Sequence, residues 1–85
     1  MEPKSLQSEG DGIYSLLVIN NGDTTMIASG NENGYVKLWN LKTHDCMGIF
    51  KTCSRTIWGL QVIRDDCGVC LVCQGDANTI KVWDL

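Results

Sequence analysis

Residues 13–41 and 57–85 of this chain superimpose without a gap at an offset of 44 residues, and this repeat limits what the chain can become more than any other feature. Seven of the 29 aligned pairs are identical: Ile13 with Ile57, Leu16 with Leu60, Val18 with Val62, Ile19 with Ile63, Lys37 with Lys81, Trp39 with Trp83 and Leu41 with Leu85. The chemistry is kept at further positions, where Tyr14 meets Trp58, Ile27 meets Leu71, Val36 meets Ile80, Leu38 meets Val82 and Asn40 meets Asp84. A repeat of this length signals one supersecondary unit built twice, in an array whose apolar faces are buried by stacking.

Each unit reads as short strands separated by turn chemistry, and no segment holds helical periodicity for three turns. The fold class is therefore all-β. Residues 13–19, 25–29 and 35–39 are expected strands of the first unit, with a fourth over 46–50. Residues 57–63, 69–73 and 79–83 repeat the scheme, and the sequence stops where a further strand is due. Asn20 to Asp23 forms a turn by composition, and Gly30 to Gly34 supplies residues that tolerate positive φ.

Composition narrows the class. At 85 residues, with 44% hydrophobic residues, the chain has room for one small globular domain. Seven basic against ten acidic residues give a formal charge of −3, which does not court nucleic acid. Residues 1–10 carry Glu2, Lys4 and Glu9 without an apolar core, and apolar runs elsewhere are only a few residues long, so neither a signal peptide nor a membrane span is expected. That polar lead is expected to be disordered or lightly attached. Five cysteines, an odd number, and the lack of an Asn-x-Ser/Thr site point to an intracellular, reducing compartment, cytoplasm or nucleus.

The segments SGNENGYVKLWNL and GDANTIKVWDL resemble the third-strand signature of the WD-repeat β-propeller family, in which each repeat supplies four strands of a blade. The resemblance covers about 73 of the 85 residues. It implies a first blade over residues 11–52 and a second, incomplete one over 53–85. The dipeptide that names the family stands at Trp83-Asp84 and has become Trp39-Asn40 in the first unit. Family repeats also link a His, a turn Asp, a second-strand Ser or Thr and the Trp by hydrogen bonds, and here that network is largely eroded. Glu9 and Cys53 stand in the His position, Asn33 and Ala77 in the Asp position with Asp76 one residue away, and Ser29 keeps its slot while its counterpart is Cys73. Each indole N–H is accordingly expected to need another acceptor, at a cost of about 1 kcal/mol or more where none is found.

A propeller closes with about 4–8 blades, and fewer than two are present, so this chain alone does not close one. Two adjacent blades bury one shared interface and leave the outer faces wet, although repeat arrays generally need about three units. The missing last strand also leaves an unpaired edge. Three explanations fit. The plainest is a fragment of a longer propeller, supported by an end at Leu85 directly after a third strand. The others are assembly with copies of itself into a closed ring, and complementation of an incomplete propeller on another chain.

Among residues that bear chemistry, Cys67, Cys70 and Cys73 have metal-like spacing, with Cys46, Cys53 or His44 as a distant fourth ligand. On a strand, however, residues three apart point to opposite faces about 10 Å apart. Small buried thiols are the expected reading, with no metal and no cofactor. His44, in the turn of residues 42–45, is expected to be a turn residue tolerant of positive φ. Asp65-Asp66 reads as a solvated turn. Tyr14 and Trp58 occupy matched positions near the start of the first strand of each unit, where the family resemblance implies a bulge that turns the side chain onto the rim of the top face. Tyr and Trp are enriched in binding hot spots. Glu32 and Asp76 are expected on the same face, with Arg55 from the connection between the units beside them. The competing reading is that the two aromatic residues merely cap core edges.

No phosphate-cradling loop, zinc-helix motif or nucleophile elbow is present in the sequence, so the chain is read as non-enzymatic. The resemblance implies a scaffold that binds partner proteins or peptides over its top-face loops. The alternatives are a non-functional truncated remnant and a cysteine metal-binding module.

Overall fold

A computed structural model describes Pro3, Ser5, Leu6 and residues 12–85. Seven strands run in chain order: β1 (Ile13–Asn21), β2 (Thr24–Asn31), β3 (Tyr35–Asn40), β4 (Cys46–Lys51), β5 (Leu60–Asp65), β6 (Gly68–Gln74) and β7 (Ile80–Asp84). They form two antiparallel meanders, one of four strands in the order β1-β2-β3-β4 and one of three in the order β5-β6-β7. The described residues form no helix and the sheets do not close on each other. The polar lead and Glu9 fall largely or wholly outside the described residues.

The turns follow the expected chemistry. Gly22, Gly34 and Gly68 have positive φ, as do His44 at 68°, Ala77 at 52° and Asn78 at 65°. The repeat extends to this detail, because Gly34 and Asn78 are a matched pair. A Cβ at Gly34 would overlap the Cys53 carbonyl, since the chain leaving β4 lies directly on this turn. Thr52 and Cys53 both donate their amide N–H to the Gly34 carbonyl, at 2.8 and 3.3 Å. Gly30 and Asn31, expected in the turn, instead extend β2, and Asn31 is buried.

Strand register assigns every side chain to a face. Val18 pairs with Ile27, and Ile27 with Trp39, on one face of the first sheet; Leu17 pairs with Ala28, and Ala28 with Leu38, on the other. The second face carries the core residues Ile19, Met26, Ala28, Val36 and Leu38, which pack against Leu60, Val69, Leu71 and Cys73 of the second sheet. Phe50 of β4 stacks on Trp83 of β7 with ring centroids 5.1 Å apart and planes 12° apart. Ile80 and Val82 point away from this core and are exposed, as are Leu16, Val18 and Ile49 on the far side of the first sheet. One shared apolar interface thus joins the two units.

The expected strand over 57–63 begins only at Leu60. Ile57 is fully buried, but its backbone is used by the other sheet: its N–H donates to the Asn31 carbonyl at 2.9 Å, and its carbonyl accepts from Ser15 Oγ at 2.9 Å. The Trp58 N–H is taken by the Gln74 side-chain oxygen at 2.9 Å, while Gln74 Nε2 donates to the Thr56 carbonyl at 2.7 Å. With those groups committed, no ladder to β6 forms before Leu60.

Candidate functional site

The starts of β1, β3, β5 and β7 and the ends of β2, β4 and β6 lie at one end of the two sheets, and the residues singled out in the sequence converge there. The first sheet shows a register break between Ile13, opposite Asn31, and Ser15, opposite Gly30, which leaves Tyr14 as the bulged residue. A bulge re-aims one side chain and bends its strand. Trp58 sits in the stretch docked onto the first sheet through Ile57. The two rings meet edge to face across the sheets, with centroids 5.1 Å apart at 74°. Such pairs contribute about 0.5–1.5 kcal/mol beyond area burial. Both nonetheless stay open to solvent, Tyr14 at 49% and Trp58 at 66% of full exposure.

Glu32 flanks the pair from the β2–β3 turn. Its carboxylate accepts the Gly12 N–H at 3.3 Å, its own N–H donates to the Gly12 carbonyl at 3.1 Å, and its backbone carbonyl accepts from Thr56 Oγ1 at 3.3 Å. Asp76, in the β6–β7 turn, receives both the N–H and the hydroxyl of Ser54 at 2.9 Å. Those two bonds from Ser54, joined by the positive charges of Arg55 and Lys51, hold its carboxyl below the usual carboxylate range. Arg55 is exposed, and its carbonyl accepts a hydrogen bond from Cys53 Sγ at 3.1 Å. The rim therefore presents two touching aromatic side chains with the Glu32 carboxylate beside them, while Asp76 is tied to Ser54 next to Arg55 in the segment that connects the units.

Of the repeat-signature residues, Ser29, Trp39, Asn40, Trp83 and Asp84 lie below this rim, whereas Asn33 stands in the β2–β3 turn beside Glu32. Trp39 is buried and its Nε1 donates to Ser29 Oγ at 3.0 Å, so the expectation that both indoles need another acceptor fails for the first unit. It holds for the second, where the buried Trp83 Nε1 finds no hydrogen-bond partner among the described residues. The group in the place of Ser29 is the Cys73 thiol, whose pKa is pushed up by burial. Asn40 closes the β3–β4 turn, its Oδ1 accepting from the amides of Lys42 at 2.8 Å and Thr43 at 3.0 Å. Asp84 Oδ1 accepts from Cys70 Sγ at 3.2 Å, and this bond raises the Cys70 pKa. Asn33 is exposed and donates its N–H to Asn31 Oδ1 at 2.9 Å.

Asn31, which the sequence reading passed over, is the polar centre of the β2–β3 turn. Its Oδ1 accepts from the amides of both Asn33 and Tyr35, each at 2.9 Å. The signal was available in outline, since Asn favours such side-chain-to-backbone turns. Cys70 pairs with Asp84 and Cys73 with Lys81 on opposite faces of β6, and among the described residues no group of three His, Cys, Asp or Glu side chains converges as a metal site requires. No protein-family model, curated protein or solved structure matches this chain.

Proposed function

We propose that the chain is a protein-interaction module, two adjacent blades of WD-repeat type that bind a partner protein or peptide over the rim carrying Tyr14 and Trp58. The observation that carries this reading is the exposed edge-to-face pair that the two rings make between the sheets. Large aromatic side chains left in water give up burial they would gain elsewhere, whereas at an interface centre they are the side chains that most often dominate binding. The 44-residue repeat, the bulge at Tyr14 and the bond from Trp39 to Ser29 support the blade assignment. Glu32 beside the rings favours a partner segment with a Lys or Arg next to an apolar residue, since the cation can lie over an aromatic face within reach of a carboxylate. No chemistry is assigned to the chain itself, and further blades, from a longer protein or another copy, are compatible with this rim remaining open.

The test compares capture by the wild-type chain with capture by Trp58→Ala and by Tyr14→Ala. Proteins retained by the wild type and depleted about thirtyfold or more by both variants, with unchanged circular dichroism, support the reading, because a hot-spot truncation costs about 2 kcal/mol or more. Equal capture by all three folded chains removes the rim as the binding surface.

A further inference from the structure

The two outer faces of the chain are repeat-equivalents of the two faces that already bury each other inside it. Leu16, on the bare face of the first sheet, is 67% exposed, while its counterpart Leu60, at the inter-sheet interface, is 7% exposed. Val18 beside it is exposed and corresponds to Val62, which packs against the core, whereas Ile27 on the same face is half-buried and Ser29 and Trp39 are buried. The second sheet mirrors this. Val82, on its bare face, is 62% exposed, while its counterpart Leu38 is 6% exposed; Ile80 and Ile63 correspond to the fully buried Val36 and Ile19. Register places each set on one face: Val18 with Ile27 on the first sheet, and Val72 with Val82 on the second.

We propose that the chain associates head to tail with a second copy of itself, the bare face of β5-β6-β7 in one copy packing on the bare face of β1-β2-β3-β4 in the next. The complementarity is drawn from the molecule itself, because the internal interface joins Ile19, Val36 and Leu38 of the first unit to Leu60 and Val62 of the second, and their matched residues Ile63, Ile80, Val82, Leu16 and Val18 are left exposed. A second copy presents both partners at once and continues the alternation of first and second units without interruption. The contact is heterologous, so it propagates until rotation closes a ring. Contiguous exposed apolar patches of this kind are uncommon on monomeric proteins and mark interaction surfaces. This contact uses the sheet faces and is independent of the aromatic rim.

The test measures the mass of the full chain by size exclusion with light scattering, for the wild type, Leu16→Lys, Val82→Lys and an equimolar mixture of the two variants. Each variant disables one face, and each altered side chain is already exposed. The proposal expects a discrete wild-type species of several chain masses, each variant alone at the chain mass of 9.4 kDa, and the mixture at twice that mass, since one intact pair of faces remains. A folded or unfolded wild-type monomer overturns it, as do variants that keep the wild-type mass, or a mixture that stays monomeric or forms a polydisperse aggregate. Val18→Lys and Ile80→Lys form a second pair with the same expectations should either first variant lose the protection of Cys53 and Cys73 from alkylation. A wild-type monomer would leave these faces to blades carried on other polypeptide.

Discussion

Replacing Ser29 by Ala tests how the first unit holds its tryptophan. Trp39 is buried, and its Nε1 donates to Ser29 Oγ at 3.0 Å across the β2–β3 ladder. Alanine keeps the Cβ and deletes only the acceptor, so no large cavity opens and little apolar contact is lost. What remains is a buried indole N–H without a partner, the condition Trp83 already has among the described residues. Stranding a buried donor costs about 1–3 kcal/mol. For a domain of this size each kcal/mol moves Tm by about 4–8 °C, so Ser29→Ala should lower Tm by at least about 4 °C. The converse change, Cys73→Ser, offers Trp83 the acceptor it lacks and should stabilise by about 0.5–1.5 kcal/mol. Both are measured by urea and thermal unfolding, followed by circular dichroism at one fixed protein concentration, because self-association makes Tm depend on concentration. Equal urea m-values would show that the unfolding reaction itself is unchanged. A neutral Ser29→Ala together with a destabilising Cys73→Ser would refute the reasoning.

Gly34→Ala should destabilise by more than about 2 kcal/mol, since it combines a left-handed φ of 84° with overlap on the Cys53 carbonyl; chemical denaturation against the wild type checks it. Alkylation at pH 8 followed by peptide mass spectrometry should modify Cys46 and Cys67 first, Cys70 more slowly, and Cys53 and Cys73 last, following their exposure and the raised pKa of Cys70 and Cys73. Asp76 has a folded pKa below its unfolded value, so its contribution is present above about pH 4 and lost as the pH falls through the folded pKa. Asp76→Asn, whose side-chain oxygen still accepts from Ser54, should remove that part of the acid dependence when Tm is followed from pH 7 to pH 3.

Much of the architecture was legible because the repeat reads the same features twice. Strand alternation places Val36 and Leu38 on one face and Trp39 on the other, and the register shows the same division. Six of the seven strands begin within one residue of where pattern and turn chemistry put them. The seventh, β5, was misread at its start because Ile57 has strand composition but spends its N–H and carbonyl on Asn31 and Ser15 of the other sheet, a commitment that no local pattern carries. The roles of Asn31 and Gln74 were hidden for the same reason: each side chain replaces backbone ladder bonds at a sheet end, which depends on partners between 2 and 18 residues away. The repeat also suggested more symmetry than exists. Ser29 and Cys73 occupy one slot, yet a hydroxyl accepts an indole N–H and a protonated thiol accepts it poorly, so matched positions give different outcomes for Trp39 and Trp83. Tyr14 and Trp58 were placed at a rim from the resemblance, whereas their mutual contact depends on the packing of one sheet against the other.

The packing of the two units is the step on which the rim, the bare faces and the proposed assembly all depend. The most direct measurement is a two-dimensional nuclear Overhauser spectrum of the aromatic ring protons. The structure predicts cross-peaks between Tyr14 and Trp58 and between Phe50 and Trp83, both pairs having centroids 5.1 Å apart. A folded β spectrum with neither cross-peak would contradict the account, since the two sheets would then not pack through these residues.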